Sequence, residues 1–192
     1  NHLDKKGQDY SNAEFKKIKM RVGIHKRLWV KNVVGIGLAA GFIEPLEATA
    51  LHLVQTSIEL FADNYSFNEN SAQQRQAFNQ EVSERFERVR DYIVCHYKLN
   101  GRNDSDYWRD NRANMKLSES LLSLLDVWYR KGDIVEEIKR QGIGRHFSTT
   151  SWHCLLSGYG VFPPPALNQP ASLKESGDLF EEKKLAAFFN RC

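Results

Sequence analysis

The densest group of chemistry-bearing residues lies at 41–50: Gly41-Phe42-Ile43-Glu44-Pro45-Leu46-Glu47-Ala48-Thr49-Ala50. A glycine turn runs into what reads as a helix start. Pro45 suits a first turn, where the missing N–H has no helical partner. Backbone N–H groups at such an end lack acceptors and attract anions. Glu47 belongs to the same turn, so an anion site and a potential base lie close together. The competing reading is a plain capped helix whose two acids, Glu44 and Glu47, complement the positive end of the dipole. Pattern alone leaves both readings open.

Metal and disulfide chemistry have little support. Cys95, Cys154 and Cys192 form no C-x-x-C, and the histidines include no His-x-x-x-His pair. The expectation is no metal and three reduced thiols in a cytoplasmic protein. Cys95 and His96 read as structural members of a long helix, and Tyr107, Trp108 and Trp128 as core. Arg85, Arg88 and Arg90 read as a solvated face, paired with Glu81, Glu84 and Glu87 at helical spacing.

The elements that must position these residues follow from periodicity. Residues 1–20 are polar and lysine-rich and read as a surface segment or a mobile end. Residues 28–40 cluster β-branched and then small side chains, which predicts a buried strand leading into a tight Gly/Ala-lined passage. A helix is expected from Pro45, with Leu51, Val54, Ile58 and Phe61 as its apolar stripe, ending at Asp63-Asn64. Residues 64–72 read as a loop. Phe78, Val82, Phe86, Val89, Ile93 and Tyr97 mark a second, long helix. Ser105 is a candidate cap for a helix holding Tyr107 to Arg109, and Ser118 for one carrying Leu121, Leu124 and Leu125. Ile134, Val135 and Ile138 suggest a short helical turn before Gly142. Residues 147–160 mix aromatic and small side chains. Pro163, Pro164 and Pro165 read as a rigid break, and residues 172–192 as a final helix.

Composition sets the class. The chain has 192 residues, with 27 Lys and Arg against 24 Asp and Glu, a formal charge of +3. That excess is too small and too dispersed to argue for nucleic acid. The longest apolar run, 33–43, holds 11 residues, three of them glycine, far short of the ~18–20 that span a membrane. Length suggests one domain or slightly more.

Three blocks together carry a resemblance. Trp29, Asn32 and then Gly37-Leu38-Ala39-Ala40-Gly41-Phe42-Ile43-Glu44-Pro45-Leu46-Glu47 closely resemble a stretch of the flavin-dependent tryptophan halogenases. In that family the second glutamate is followed by Ser-Thr-Gly or Ser-Thr-Ser; here Ala48-Thr49-Ala50 follows. Cys95-His96-Tyr97, Asn100, Arg102, Asp104-Ser105 and Tyr107-Trp108 resemble the family's Cys-His-Tyr … Arg-x-Asp-Ser-x-Tyr-Trp segment. Ser151-Trp152, Gly158-Tyr159-Gly160 and the prolines from Pro163 resemble its Ser-Trp … Gly-x-Gly … Pro segment. The resemblance covers about residues 21–165.

The resemblance implies a mainly α fold: the helical substrate module of a two-dinucleotide-fold FAD flavoprotein, with a short β segment at the N-terminal end. Residues 1–45 would close the flavin-binding module and 46–192 would form the helical substrate-binding module. The chain has no Gly-x-Gly-x-x-Gly near a strand, no Trp-x-Trp-x-Ile-Pro, and no match to the family's halogen-carrying lysine. With Asn rather than Met at position 1, the expectation is the C-terminal portion of a longer enzyme, inactive alone. Its strand would then keep an open edge or face, with exposed apolar surface around 28–42.

In the family, reduced FAD and oxygen oxidise a halide, and the halogen passes through a lysine to an aromatic ring. The resemblance gives Glu47 the catalytic role beside the substrate, where it orients the halogen and stabilises or deprotonates the cationic ring. It places Gly41, Pro45 and Leu46 against FAD. It assigns halide to the backbone N–H groups of Thr49 and Ala50, and an aromatic sandwich for the substrate to Phe147 and Trp152. For these two aromatics a core role is the competing reading. Ala48 lacks the family's hydroxyl, which affects contacts around it. Implied partners are tryptophan or a similar aromatic, halide, a flavin reductase and the N-terminal remainder of the enzyme, with no nucleic acid or membrane. The alternatives are a related flavin monooxygenase that inserts oxygen, and a free-standing helical interaction module.

Overall fold

The computed structural model describes residues 14, 16, 18–65 and 72–162. Most of the lysine-rich start and of the 64–72 loop, the Pro163–165 break and the 172–192 helix fall outside these residues. The fold is mainly α with a small β segment at its N-terminal end. Two compact units divide it, Asn1–Tyr97 and Lys98–Cys192.

In the first unit the expected single strand is four very short ones. Strand β1 (Gly23–Ile24) pairs antiparallel with β4 (Gly41–Phe42), and β2 (Trp29–Val30) with β3 (Val33–Val34). Lys31 and Asn32 close the β2–β3 hairpin. Lys31 takes a left-handed φ of 53°, so the chain reverses where a continuous strand was expected. The predicted open edge is partly closed. Asn79 Oδ1 accepts from the N–H groups of both Leu28 and Trp29 at 2.7 Å, and its Nδ2 donates to Trp29 O at 3.1 Å. One side-chain amide thus replaces a neighbouring strand. The apolar surface is present: Val33 and Leu38 are exposed, Leu38 at 76%.

Behind the hairpin, Trp29 packs edge-on against Phe61 and Phe78 at 4.9 and 5.7 Å between ring centroids. Leu28 and Val82 complete this core.

Helix α1 (Thr49–Asn64) begins later than predicted, after a 3-10 turn at Leu46–Ala48. Glu47 (φ 52°) and Ala48 (φ 55°) are both left-handed, so no helix can run through them from Pro45. The apolar stripe is also displaced. Leu51 is 73% and Ile58 51% exposed, whereas Thr49, Thr56 and Ser57 are buried. Their hydroxyls bond carbonyls just N-terminal to them: Thr49 to Leu46 at 2.8 Å, Thr56 to His52 at 2.9 Å and Ser57 to Leu53 at 2.6 Å. Such hydroxyls can be buried without outside partners.

Helix α2 (Ala72–Leu99) matches its periodicity, with Phe78, Val82, Phe86, Val89 and Ile93 all buried. Arg85 and Arg90 pair with Glu81 and Glu87 as expected. Arg88 lies instead 3.6 Å from buried Asp91.

The second unit holds α3 (Asp106–Ala113), α4 (Glu119–Tyr129), α5 (Ile134–Gln141) and α6 (Thr149–Gly158). Each of the last three has a side-chain cap. Ser118 accepts from Leu121 N, Asp133 from Val135 N and Glu136 N, and Ser148 from Ser151 N, which satisfies N–H groups that have no helical acceptor. Helix α5 ends at Gly142 in left-handed geometry, φ 66°. Lys98 Nζ donates to the carbonyls of Arg112 and Asn114 at 2.6 and 2.9 Å, closing the C-terminal end of α3. Tyr107, read as core, is exposed.

Candidate active site

The 44–48 segment connects β4 to α1, and its backbone is strained. Glu47 (φ 52°, ψ 34°) and Ala48 (φ 55°, ψ 19°) are consecutive left-handed residues with side chains. Each costs about 1–2 kcal/mol relative to a right-handed conformation. Strain of this kind persists only where the surroundings impose it, and it clusters at working sites. Its consequence here is to turn Glu47 out of the helical path, with its side chain 53% exposed.

Two successive residues of α2 reach this segment. His96 Nε2 lies 3.5 Å from Glu47 Oε1, and the Tyr97 hydroxyl donates to Glu44 Oε1. Burial pushes the His96 imidazole below its ordinary value, and the Glu47 carboxylate pulls it partly back. The ring also meets Tyr92 edge-on, with centroids 5.1 Å apart. The Cys95 thiol is fully buried, and burial pushes it up to about 12, so it stays protonated and inert.

The predicted anion end is partly committed. Thr49 N–H donates to Leu46 O, the carbonyl that also receives the Thr49 hydroxyl. The dihedral order here, left-handed Glu47 and Ala48 then right-handed Thr49, leaves the N–H groups of Ala48 and Ala50 outside that bond. A cavity of about 240 Å³ in the first unit is walled by Gly41, Phe42, Ala50, Val54, Val82 and Phe86. Of the predicted set it includes Gly41 and Ala50. Glu47, Pro45, Leu46 and Thr49 are not in its wall.

Gly41 has a structural reason of its own. A Cβ there would sit 2.3 Å from Gly23 O and 2.7 Å from Ile24 Cα, so the β1–β4 pair demands glycine whether or not a ligand binds.

The residues present suit only part of FAD. The cavity wall is mainly apolar and carries no charged side chain. The run Gly35-Ile36-Gly37-Leu38-Ala39-Ala40 has the Gly-x-Gly-x-x-Ala spacing, but a 3-10 turn lies within it at Gly37–Ala39 and β4 follows it. A pyrophosphate seat of that type needs a helix N-terminus at this point. Among the described residues no group of three or more His, Cys, Asp or Glu side chains is placed to hold a metal.

Phe147 and Trp152 lie in the second unit. Their rings meet edge-on at 6.5 Å. Trp152 is 3% exposed, so it packs within the protein and only Phe147, half-buried, has surface to offer a substrate.

The tryptophan halogenase family model matches residues 1–173. The chain belongs to the tryptophan halogenase family. It is 31% identical to tryptophan 6-halogenase ThaL of Streptomyces albogriseolus over 93% of this chain and 36% of that protein. It is 29% identical to the 7-chloro-L-tryptophan 6-halogenase KtzR of Kutzneria, over 97% and 35%. Among solved structures it resembles BrvH, a flavin-dependent halogenase from Brevundimonas, with TM-score 0.68, 30% identity, and 92% and 34% of the two chains covered. It also resembles the tryptophan halogenase of Shewanella frigidimarina, with TM-score 0.70, 25% identity, and 95% and 35% covered. This halogenase-family chain therefore spans about a third of the length of the curated relatives it matches.

The sequence reading groups Glu47, Thr49 and Ala50 in one segment and takes His96 as structural, whereas the structure sets His96 3.5 Å from Glu47. The available signal was the Cys95-His96-Tyr97 block, whose last two members both face carboxylates of the 44–48 segment.

Proposed function

We propose that this chain forms the substrate-side part of a flavin-dependent halogenase acting on tryptophan or another electron-rich aromatic. Residues 1–45 would close the flavin-binding module and 46–192 supply the helical substrate-binding module. The observation that carries this reading is the placement of Glu47: a family-block carboxylate, turned out of a helix start by two left-handed residues and backed by His96. FAD, supplied reduced by a flavin reductase, would provide with oxygen the oxidising power that activates halide. The FAD pyrophosphate would be held by an N-terminal remainder of the enzyme, and Gly41, Pro45 and Leu46 would border the ring system.

The chain's own residues then do three things. The Glu47 carboxylate faces the ring and stabilises positive charge as halogen adds, or accepts the ring proton afterwards. The backbone at Thr49 and Ala50 would border the halide, directly after the left-handed pair Glu47 and Ala48. Within the second unit, Phe147 is the candidate for aromatic contact with a substrate, and buried Trp152 meets its ring edge-on. The half-exposed state of Glu47 favours this reading, since a carboxylate kept for the helix dipole alone needs no strained backbone. Cys95 and Cys154 are unpaired thiols, which supports a reducing, cytoplasmic setting. No helix among the described residues is long and apolar enough to cross a membrane.

The test is product analysis. The complete flavoprotein, given reductase, oxygen, chloride or bromide and tryptophan or indole, is expected to yield a halogenated product by mass spectrometry. A hydroxylated product formed equally well without halide would replace this reading with the monooxygenase alternative.

A further inference from the structure

We propose that His96 is the positioning residue for Glu47, fixing the direction of its carboxylate from the rigid end of α2. The inference rests on the reading of Glu47 as the carboxylate that faces the reacting ring. Glu47 is half-exposed on a short connecting segment, and a free glutamate there would sample several rotamers. The segment is held at two points three residues apart. Tyr97 donates to Glu44, and His96 stands 3.5 Å from Glu47. Adjacent helical residues diverge by about 100°, so one turn of α2 reaches both carboxylates.

The helix is itself well anchored at this level. Cys95 is fully buried beside His96, and Tyr92, one turn earlier, is buried with its ring edge-on to the imidazole. That contact limits ring rotation, and Nε2 stands 3.5 Å from Glu47 Oε1. Of the proposed site residues, the one His96 is brought to is Glu47. The role assigned to it is therefore exerted through Glu47, a positioning role and not a catalytic one.

Two variants of the complete flavoprotein test this. His96→Gln keeps an N–H donor close to the position of Nε2. His96→Phe keeps the ring volume against Tyr92 and removes the donor. Halogenated product per flavin oxidised is expected to fall about tenfold or more in His96→Phe, since misplacing a reacting group by about 1 Å can cost ~10²-fold. The KM for the aromatic should change little. His96→Gln should recover most of the loss. Normal coupling in His96→Phe, or equal loss in both variants, would overturn the proposal.

A second readout does not depend on turnover. The imidazole of His96, followed by NMR in wild type and in Glu47→Gln, should titrate at lower pH in the variant, because the neighbouring negative charge is gone. Tyr92, Cys95, Tyr97 and Glu44, titratable side chains beside this contact, are unchanged in that variant. An unshifted titration would overturn the proposal even if Glu47 proves catalytic. A shifted titration with normal coupling in Glu47→Gln would instead uphold the contact and overturn the reading of Glu47.

Discussion

Replacing Gly41 by alanine separates two explanations of the same glycine. The added Cβ would lie 2.3 Å from Gly23 O and 2.7 Å from Ile24 Cα, where real Cβ contacts essentially never fall below 3.0 Å. Strands β1 and β4 must therefore part by about 0.7 Å or more, the difference between those limits. Both clashing atoms are backbone, so no rotamer change relieves them. The ladder at Gly23↔Phe42 and Ile24↔Gly41 would be disturbed, and with it the 2.9 Å bond from His25 N to Ala40 O. Two or three backbone bonds at about 1 kcal/mol each give ~2–3 kcal/mol, consistent with the ~1–3 kcal/mol typical of overpacking. At this chain length each kcal/mol lowers Tm by roughly 2–4 °C, so a fall of about 4–12 °C is expected in a thermal melt followed by circular dichroism. A glycine kept only for close approach of FAD would leave the melt of the ligand-free protein unchanged. That result would refute the strand-pairing argument.

Three further outcomes are expected. Ala48→Gly removes a left-handed strain of about 1–2 kcal/mol while loosening the unfolded chain by ~0.4–1 kcal/mol. The net should be a small rise in Tm, and a fall would contradict the bend at Ala48. Brief alkylation at mildly alkaline pH should label exposed Cys154 and spare Cys95, whose thiol stands at about 12; peptide mapping that finds equal labelling would contradict the burial of Cys95. Because the His96 pKa is lowered from 6.5 in the folded state, folding disfavours its protonated form. Its contribution to stability is complete above 6.5 and is lost as pH falls through the lowered value. Melts across that window should show a shallower acid loss in His96→Gln, and an identical loss would exclude His96 as a source.

Where one face of an element is buried, the sequence was legible. The period of Phe78, Val82, Phe86, Val89 and Ile93 gave α2 because burial of that stripe dominates its packing. Ser118 was legible as a cap because hydroxyl capping is local. Helix α1 was misread at both levels for identifiable reasons. Its buried face is made of Thr49, Thr56 and Ser57, which satisfy themselves and so carry no hydrophobic signal. Its start is displaced by left-handed Glu47 and Ala48, a conformation that neither residue type announces. Helix α6 was missed because Ser148-Thr149-Thr150-Ser151 reads as loop chemistry, although Ser148 acts as its cap. In the site, the family block identified Glu47 as the residue of interest. The contact with His96 joins residues 49 positions apart, and no local pattern encodes it.

On the proposed reading, Glu47 acts by its charge on the reacting ring. Glu47→Gln in the complete flavoprotein keeps size and hydrogen-bonding capacity and removes that charge. The measurement is halogenated product formed per flavin oxidised, with thermal melting beside it. Loss of a preorganised electrostatic partner predicts a fall of roughly 10²-fold or more, with flavin oxidation unchanged. A helix-end charge alone is worth about 0.3–1 kcal/mol of stability and nothing to the chemistry. Unchanged product per flavin oxidised would contradict the claim and leave Glu47 as a capping residue.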